Sequence, residues 1–250
     1  MAKNTFPTYL ILFATLVLAG CTLAPSPSTA TLLTSTAGPG AVEEIPVKPI
    51  PLMGLASLAN AEISGLAWYG DWLILLPQYP NRFPGGSEGA LLALRKQDLI
   101  DRISGKSDQA LAPRSIPLIA PDLSGQVRGY EGFEALGIIG DRVYLTMETN
   151  TGSGMLTYRL IGSIAPDLSC SPLDTTFLRP IPAQAAIANF SDEAIVTGQE
   201  QIFTLYEANG AQFNPQPAAH QFDLNLTSPE TAAFPNIEYR ITDATGMDAQ

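Results

Sequence analysis

The chain has 250 residues, with 13 Lys plus Arg against 24 Asp plus Glu and a formal net charge of −11. Acidity of that size repels phosphate backbones and anionic lipid surfaces, which argues against nucleic acid as a partner and favours cations, metal ions or neutral ligands. Hydrophobic residues make up 46% of the chain, enough to build one sizeable core.

The N-terminus reads as a targeting segment. Lys3 supplies a positive start, and Tyr9 to Leu18 is an apolar stretch too short to span a bilayer. It runs into Leu18-Ala19-Gly20-Cys21, the pattern of a bacterial lipobox. This predicts a signal peptide over 1–20, cleavage before Cys21 and acylation of its thiol. The domain would then be held to a bacterial membrane, on its periplasmic or outer-membrane face, through buried methylenes. The alternative is an ordinary secretory signal followed by a chance cysteine, which would also export the chain. Thr22 rather than Asp follows Cys21, the arrangement that goes with outer-membrane sorting in enterobacterial lipoproteins. Residues 21–51 are rich in Pro, Ser, Thr and Ala and read as a flexible tether, so the folded domain is expected over 52–250. Cys170 is the only other cysteine; with Cys21 acylated it has no intramolecular disulfide partner and reads as a free thiol.

From residue 64 onward a pattern recurs: a polar-small-apolar step, a turn, then an apolar run closed by a polar residue. Ser64-Gly65-Leu66 leads through Gly70-Asp71 to Trp72–Leu76 and Gln78. Glu134-Ala135-Leu136 leads through Gly140-Asp141 to Arg142–Met147 and Glu148. Glu193-Ala194-Ile195 leads through Gln199-Glu200 to Gln201–Tyr206 and Glu207. A fourth copy is expected at Thr245-Gly246-Met247. Self-similarity at such a spacing marks a repeat architecture.

The segments between these motifs also correspond. Ala90 to Leu94, Met155 to Leu160 and His220 to Leu224 alternate or are apolar like strands, and Arg114 to Ile119, Thr176 to Ile181 and Ile237 to Ile241 close the three units. Lys96 to Ile103 is the one short helix expected, and 21 Gly and 21 Pro supply the turns. Four antiparallel strands per unit, repeated, predict an all-β chain built of β-propeller blades. A single blade cannot cover both its apolar faces, so neighbours must stack. Three units and the first strand of another fall short of a full ring, so the propeller is expected to be incomplete at its C-terminal end. A β-sandwich of about twelve strands is the competing architecture.

Glu62-Ile63-Ser64-Gly65-Leu66-Ala67, Tyr130-Glu131-Gly132-Phe133-Glu134-Ala135-Leu136 with Gly140-Asp141-Arg142-Val143-Tyr144-Leu145, and Ile241-Thr242-Asp243-Ala244-Thr245 resemble the bacterial phytase-like propellers, the family labelled as having esterase-like activity of phytase. The resemblance runs from about Leu52 to Gln250. It implies a propeller of about six blades, exported and often lipid-anchored. It also implies calcium held by carboxylates at the mouth, which assists hydrolysis of a phosphate ester or another small-molecule ester. The lysine and arginine set with which true β-propeller phytases hold phosphate has no residue-by-residue match here. A non-catalytic propeller that binds a ligand or protein partner is the alternative.

Carboxylates recur at equivalent places in the repeat. Glu134 and Glu193 share one slot with Ser64 and Thr245; Glu148 and Glu207 share another with Gln78; Glu131, Asp192 and Asp243 sit just upstream of the first slot. If equivalent positions circle an axis, these seven acids converge. Clustered carboxylates demand a shared proton or a cation, and oxygen ligands on loops suit calcium. The structural alternative is that they accept hydrogen bonds from neighbouring turns or stay solvated. Gly85-Gly86-Ser87-Glu88-Gly89 matches the nucleophile-elbow string, but a strand rather than a helix follows it, so it reads as a loop. His220 falls in a strand with no acidic neighbour close in sequence and reads as an ordinary strand residue.

Overall fold

The computed structural model describes residues 47–246, apart from Ser153 and Ser228. The expected signal, the expected acylation site at Cys21, the tether up to residue 46 and Met247 lie outside the described residues.

The first sheet begins with β1 (Ile63–Tyr69), β2 (Trp72–Pro77), β3 (Ala90–Arg95) and β4 (Arg114–Ile119), each antiparallel to the one before. The second contains β5 (Tyr130–Ile139), β6 (Arg142–Asn150) and β7 (Met155–Ser163). Next in the chain, β8 (Ser171–Pro172) leaves this order to pair parallel with β4 as a fifth strand of the first sheet. The second sheet is then completed by β9 (Arg179–Ile181). The third is β10 (Asp192–Thr197), β11 (Gln201–Tyr206), β12 (Ala218–Asp223) and β13 (Glu230–Ala233), again antiparallel throughout. The chain is therefore all-β, in three curled sheets that do not close into a barrel.

Local chemistry explains the hairpins. Tyr69 pairs with Trp72 and Ile139 with Arg142, leaving Gly-Asp as the two-residue turn in each. Gly70 and Gly140 both take φ of 55°, a left-handed conformation that costs glycine little. The expected helix is α1 (Lys96–Ile103), with Asp98 in its first turn and Arg102 in its last, matching the helix dipole.

Two expectations are corrected. The third sheet closes with β13 rather than with Ile237 to Ile241, which forms no strand and makes only an isolated bridge between Ala208 and Arg240. Strand β13 is short, polar and exposed at the sheet's outer edge, so it needs no apolar pattern. No strand forms over Ile241 to Gly246 either. That segment packs against β10 instead, with Ile241 and Ala244 on Ala194 and Val196.

Stacking follows the alternation of each strand. Ile74, Leu76, Leu91 and Ile116 of the first sheet pack on Phe133, Val143, Leu145 and Met147 of the second. Ala135 and Tyr144, from the other face of the second sheet, pack on Ile195, Ile202 and Phe222 of the third. The two remaining outer faces are covered by the chain itself. Ile50, Leu52 and Leu111 lie over Leu75 and Leu92, while Phe234 and Ile241 lie over Leu205 and Ala219. Burial on both faces of the middle sheet contributes about 25 cal/mol per Å² of apolar surface removed from water.

Candidate functional site

The first strands of the three sheets lie side by side, β1 against β5 and β5 against β10. Each carries a β-bulge at the same step of the repeat. The ladder passes from Ile63↔Pro77 to Gly65↔Leu76, from Phe133↔Met147 to Ala135↔Thr146, and from Asp192↔Tyr206 to Ala194↔Leu205. The extra residues are Ser64, Glu134 and Glu193, the three occupants of the first repeated slot. A second irregularity in β5, between Tyr130 and Gly132, leaves Glu131 outside the ladder as well. A bulge re-aims a side chain away from the regular pleat, and here it does so at one point of each sheet. Ser64, Glu134 and Glu193 line one groove of about 540 Å³ together with Thr242 and Asp243.

That groove corrects the fourth copy of the repeat. Ile241 N donates to Glu207 O at 3.1 Å as Phe133 N donates to Gln78 O at 2.8 Å. Thr242, the residue after Ile241, therefore stands where Glu134 stands, and Thr245 does not line the groove.

The second slot reaches toward the first slot of the next sheet. Gln78 Nε2 donates to Glu134 Oε1 at 3.0 Å. Glu148, only 4% exposed, stands where its charge acts on Glu134 and where it feels Glu193 and Glu131. Its Oε1 has no hydrogen-bond partner among the described residues. Glu207, fully buried, is ion-paired with Arg240, whose guanidinium lies 5.0 Å above the Phe190 ring.

Burial and mutual repulsion set the proton affinities of the central three. Glu134 is pushed up to about 8 by burial and by the charges of Glu148 and Glu193, against the pull of Gln78. Glu148 is raised to about 7 by burial, Glu193 and Glu131, with Ser191 opposing the rise. Glu193 is raised to about 7 by burial, held down by Arg240. These acids therefore exchange protons near neutrality, the range in which a side chain serves as general acid or base.

The seven sequence-predicted acids thus divide. Glu134, Glu148 and Glu193 form one electrostatic cluster, with Glu131 beside Glu148 and Asp243 exposed on the shared groove. Glu207 belongs with Arg240. Asp192 turns into a separate buried network, where Oδ1 accepts from Thr204 Oγ1 at 2.7 Å and lies 3.0 Å from His220 Nδ1. His220 does have an acidic partner, 28 residues away in sequence, because Thr204 pairs with it across β11 and β12. The pair is closed off by burial, with His220 7% and Asp192 0% exposed.

Oxygen donors and an orphaned buried acceptor on Glu148 suit a hard cation such as calcium. The spacing does not: among the described residues, no three Asp, Glu, His or Cys side chains are close enough to hold a metal ion. Gly85 to Gly89 is a packed loop. A Cβ on Gly86 would stand 2.2 Å from Leu118 O, and Ser87 Oγ accepts from Ala120 N at 3.0 Å. No helix among the described residues is long and apolar enough to cross a membrane.

No family model matches this chain, and no curated protein matches it.

Proposed function

We propose that the chain is an exported, lipid-anchored propeller of the phytase-like kind that hydrolyses a small ester or phosphate ester at the groove between its bulges. The observation that carries this reading is the convergence of Glu134, Glu148 and Glu193 on neighbouring strands, with proton affinities raised to about 8, 7 and 7. Glu134, the most readily protonated, donates a proton to the leaving oxygen in this reading. Glu193, ionised, accepts one from the attacking water, while buried Glu148 raises the proton affinity of Glu134. Two acids of unequal proton affinity in one groove are the arrangement that lets one pocket do both tasks at neutral pH.

The test is release of p-nitrophenol from its phosphate and acetate esters by the full chain in detergent, followed from pH 5 to 9. A bell-shaped profile centred between 7 and 8, lost in Glu134→Gln, supports hydrolysis. A folded protein that turns over neither ester, with or without calcium, overturns it and leaves a propeller that only binds.

Calcium assistance is the second reading, favoured by the unpartnered Oε1 of Glu148. A ligand that binds only the native state raises its melting temperature. Millimolar calcium should therefore shift the melt upward, more at pH 8.5 than at pH 6, since protons compete for the same oxygens. A melt indifferent to calcium at both pH values discards the metal.

A further inference from the structure

A second pocket stands on the third sheet, with walls distinct from those of the acidic groove. It encloses about 550 Å³ between the loop after β11 and the segment 237–240, within the range of small-molecule sites. Its walls include Phe190, Phe213 and Tyr239, with Glu238 and Arg240 as charged members.

The walls are pinned to each other. Ile237 N donates to Asn209 Oδ1 at 2.5 Å, Asn209 Nδ2 donates to Pro235 O at 3.2 Å, and Ala211 N donates to Glu238 Oε1 at 3.1 Å. Glu238 takes φ of 58° to reach that contact, a left-handed conformation unusual for a side chain of its size. Below, Ile241 N is bonded to Glu207 O and Arg240 is paired with buried Glu207. On this braced frame Phe213 and Tyr239 remain 65% and 77% exposed. Large aromatics held open on a fixed frame mark a binding surface rather than an unfinished core.

We propose that this pocket binds a neutral sugar ring. Phe213 and Tyr239 offer flat faces for the C–H face of a pyranose. Arg240 faces Glu207 through Nη2 and keeps other guanidinium N–H groups to donate to a hydroxyl, and Glu238 supplies an acceptor. The charge pattern selects for neutrality. Arg240 is already neutralised by Glu207 and already stacked on Phe190, so it offers little to an anion, and Glu238 repels one. The proposal does not rest on the hydrolytic reading, although Arg240 also lowers the proton affinity of Glu193 in the acidic groove.

The probes are cellobiose and N,N′-diacetylchitobiose, added to the full chain in detergent and followed by saturation-transfer NMR and calorimetry. Saturation of the ring protons of at least one disaccharide is expected, with affinity falling at least tenfold in Tyr239→Ala and in Phe213→Ala. Both side chains are exposed, so the variants should melt with the parent, which separates lost binding from lost folding. Absence of saturation transfer from a folded protein overturns the proposal. So does binding that both variants retain, or transfer to tetramethylammonium in place of either sugar, which would make the pocket a cation cage.

Discussion

Gln78 Nε2 donates to Glu134 Oε1 at 3.0 Å, joining the end of one sheet's second strand to the bulge of the next. The amide is a neutral donor working against burial and against two carboxylates. It lowers the proton affinity of Glu134 without restoring an ordinary value. The repeat places Glu148 in the position of Gln78, facing Glu193, so the same relationship becomes acid against acid one sheet later.

Stability should therefore fall as pH rises. A glutamate titrates near 4.5 when unfolded and Glu134 near 8 when folded. Between those values the folded state keeps a proton that the unfolded chain has released, so ionisation favours unfolding. Glu148 and Glu193 act in the same direction up to about 7. Melting temperatures should decline from pH 5 to pH 8.5. Glu134→Gln should recover roughly 2–4 kcal/mol at pH 8.5 and little at pH 5. Parallel curves for parent and variant would refute the assignment.

His220→Ala should cost about 3 kcal/mol in urea unfolding, since breaking a buried pair strands its partner. Asp192 would keep only Thr204 and the Thr157 contact to its backbone, and its Oδ2 already lacks a partner. His220→Gln, which can still donate, should cost less. Equal losses for the two variants would mean that the ring's stacking on Phe222, not its hydrogen bond, matters.

Gly65→Val should destabilise by about 1–3 kcal/mol through overpacking. A Cβ at Gly65 would stand 2.9 Å from Leu136 N, a backbone atom that cannot move aside without separating β1 from β5. Gly54→Ala provides the control for added bulk, since a Cβ there has nothing within 4 Å and only the φ of 65° resists it. Thermal melts that rank the second variant below the first would show that the sheets are not in close contact at Gly65.

Strands with a buried face announced themselves through alternation, and the Gly-Asp pairs marked where two of them turn. What stayed hidden depended on pairing. Strand β13 carries Glu230-Thr231-Ala232-Ala233 because its edge is exposed and nothing apolar is required there. Ile237 and Tyr239 look like core residues, yet both are exposed, and only Ile241 reaches the interior. The acids of the site were visible as a repeat, but that three slot residues are bulges follows from register, which no single strand reveals. The Asp192–His220 contact was concealed for the same reason, since it crosses β11.

Those bulges have an evolutionary consequence. Removing Glu134 alone would bring Phe133↔Met147 and Ala135↔Thr146 into consecutive steps of an unbroken ladder, with each remaining side chain keeping its face. The same holds for Glu193 between Asp192 and Ala194, and for Ser64 between Ile63 and Gly65. The groove-lining side chains therefore ride on single-residue insertions outside the strand ladders, so a lineage could lose, regain or exchange them one residue at a time while each ladder stays in register.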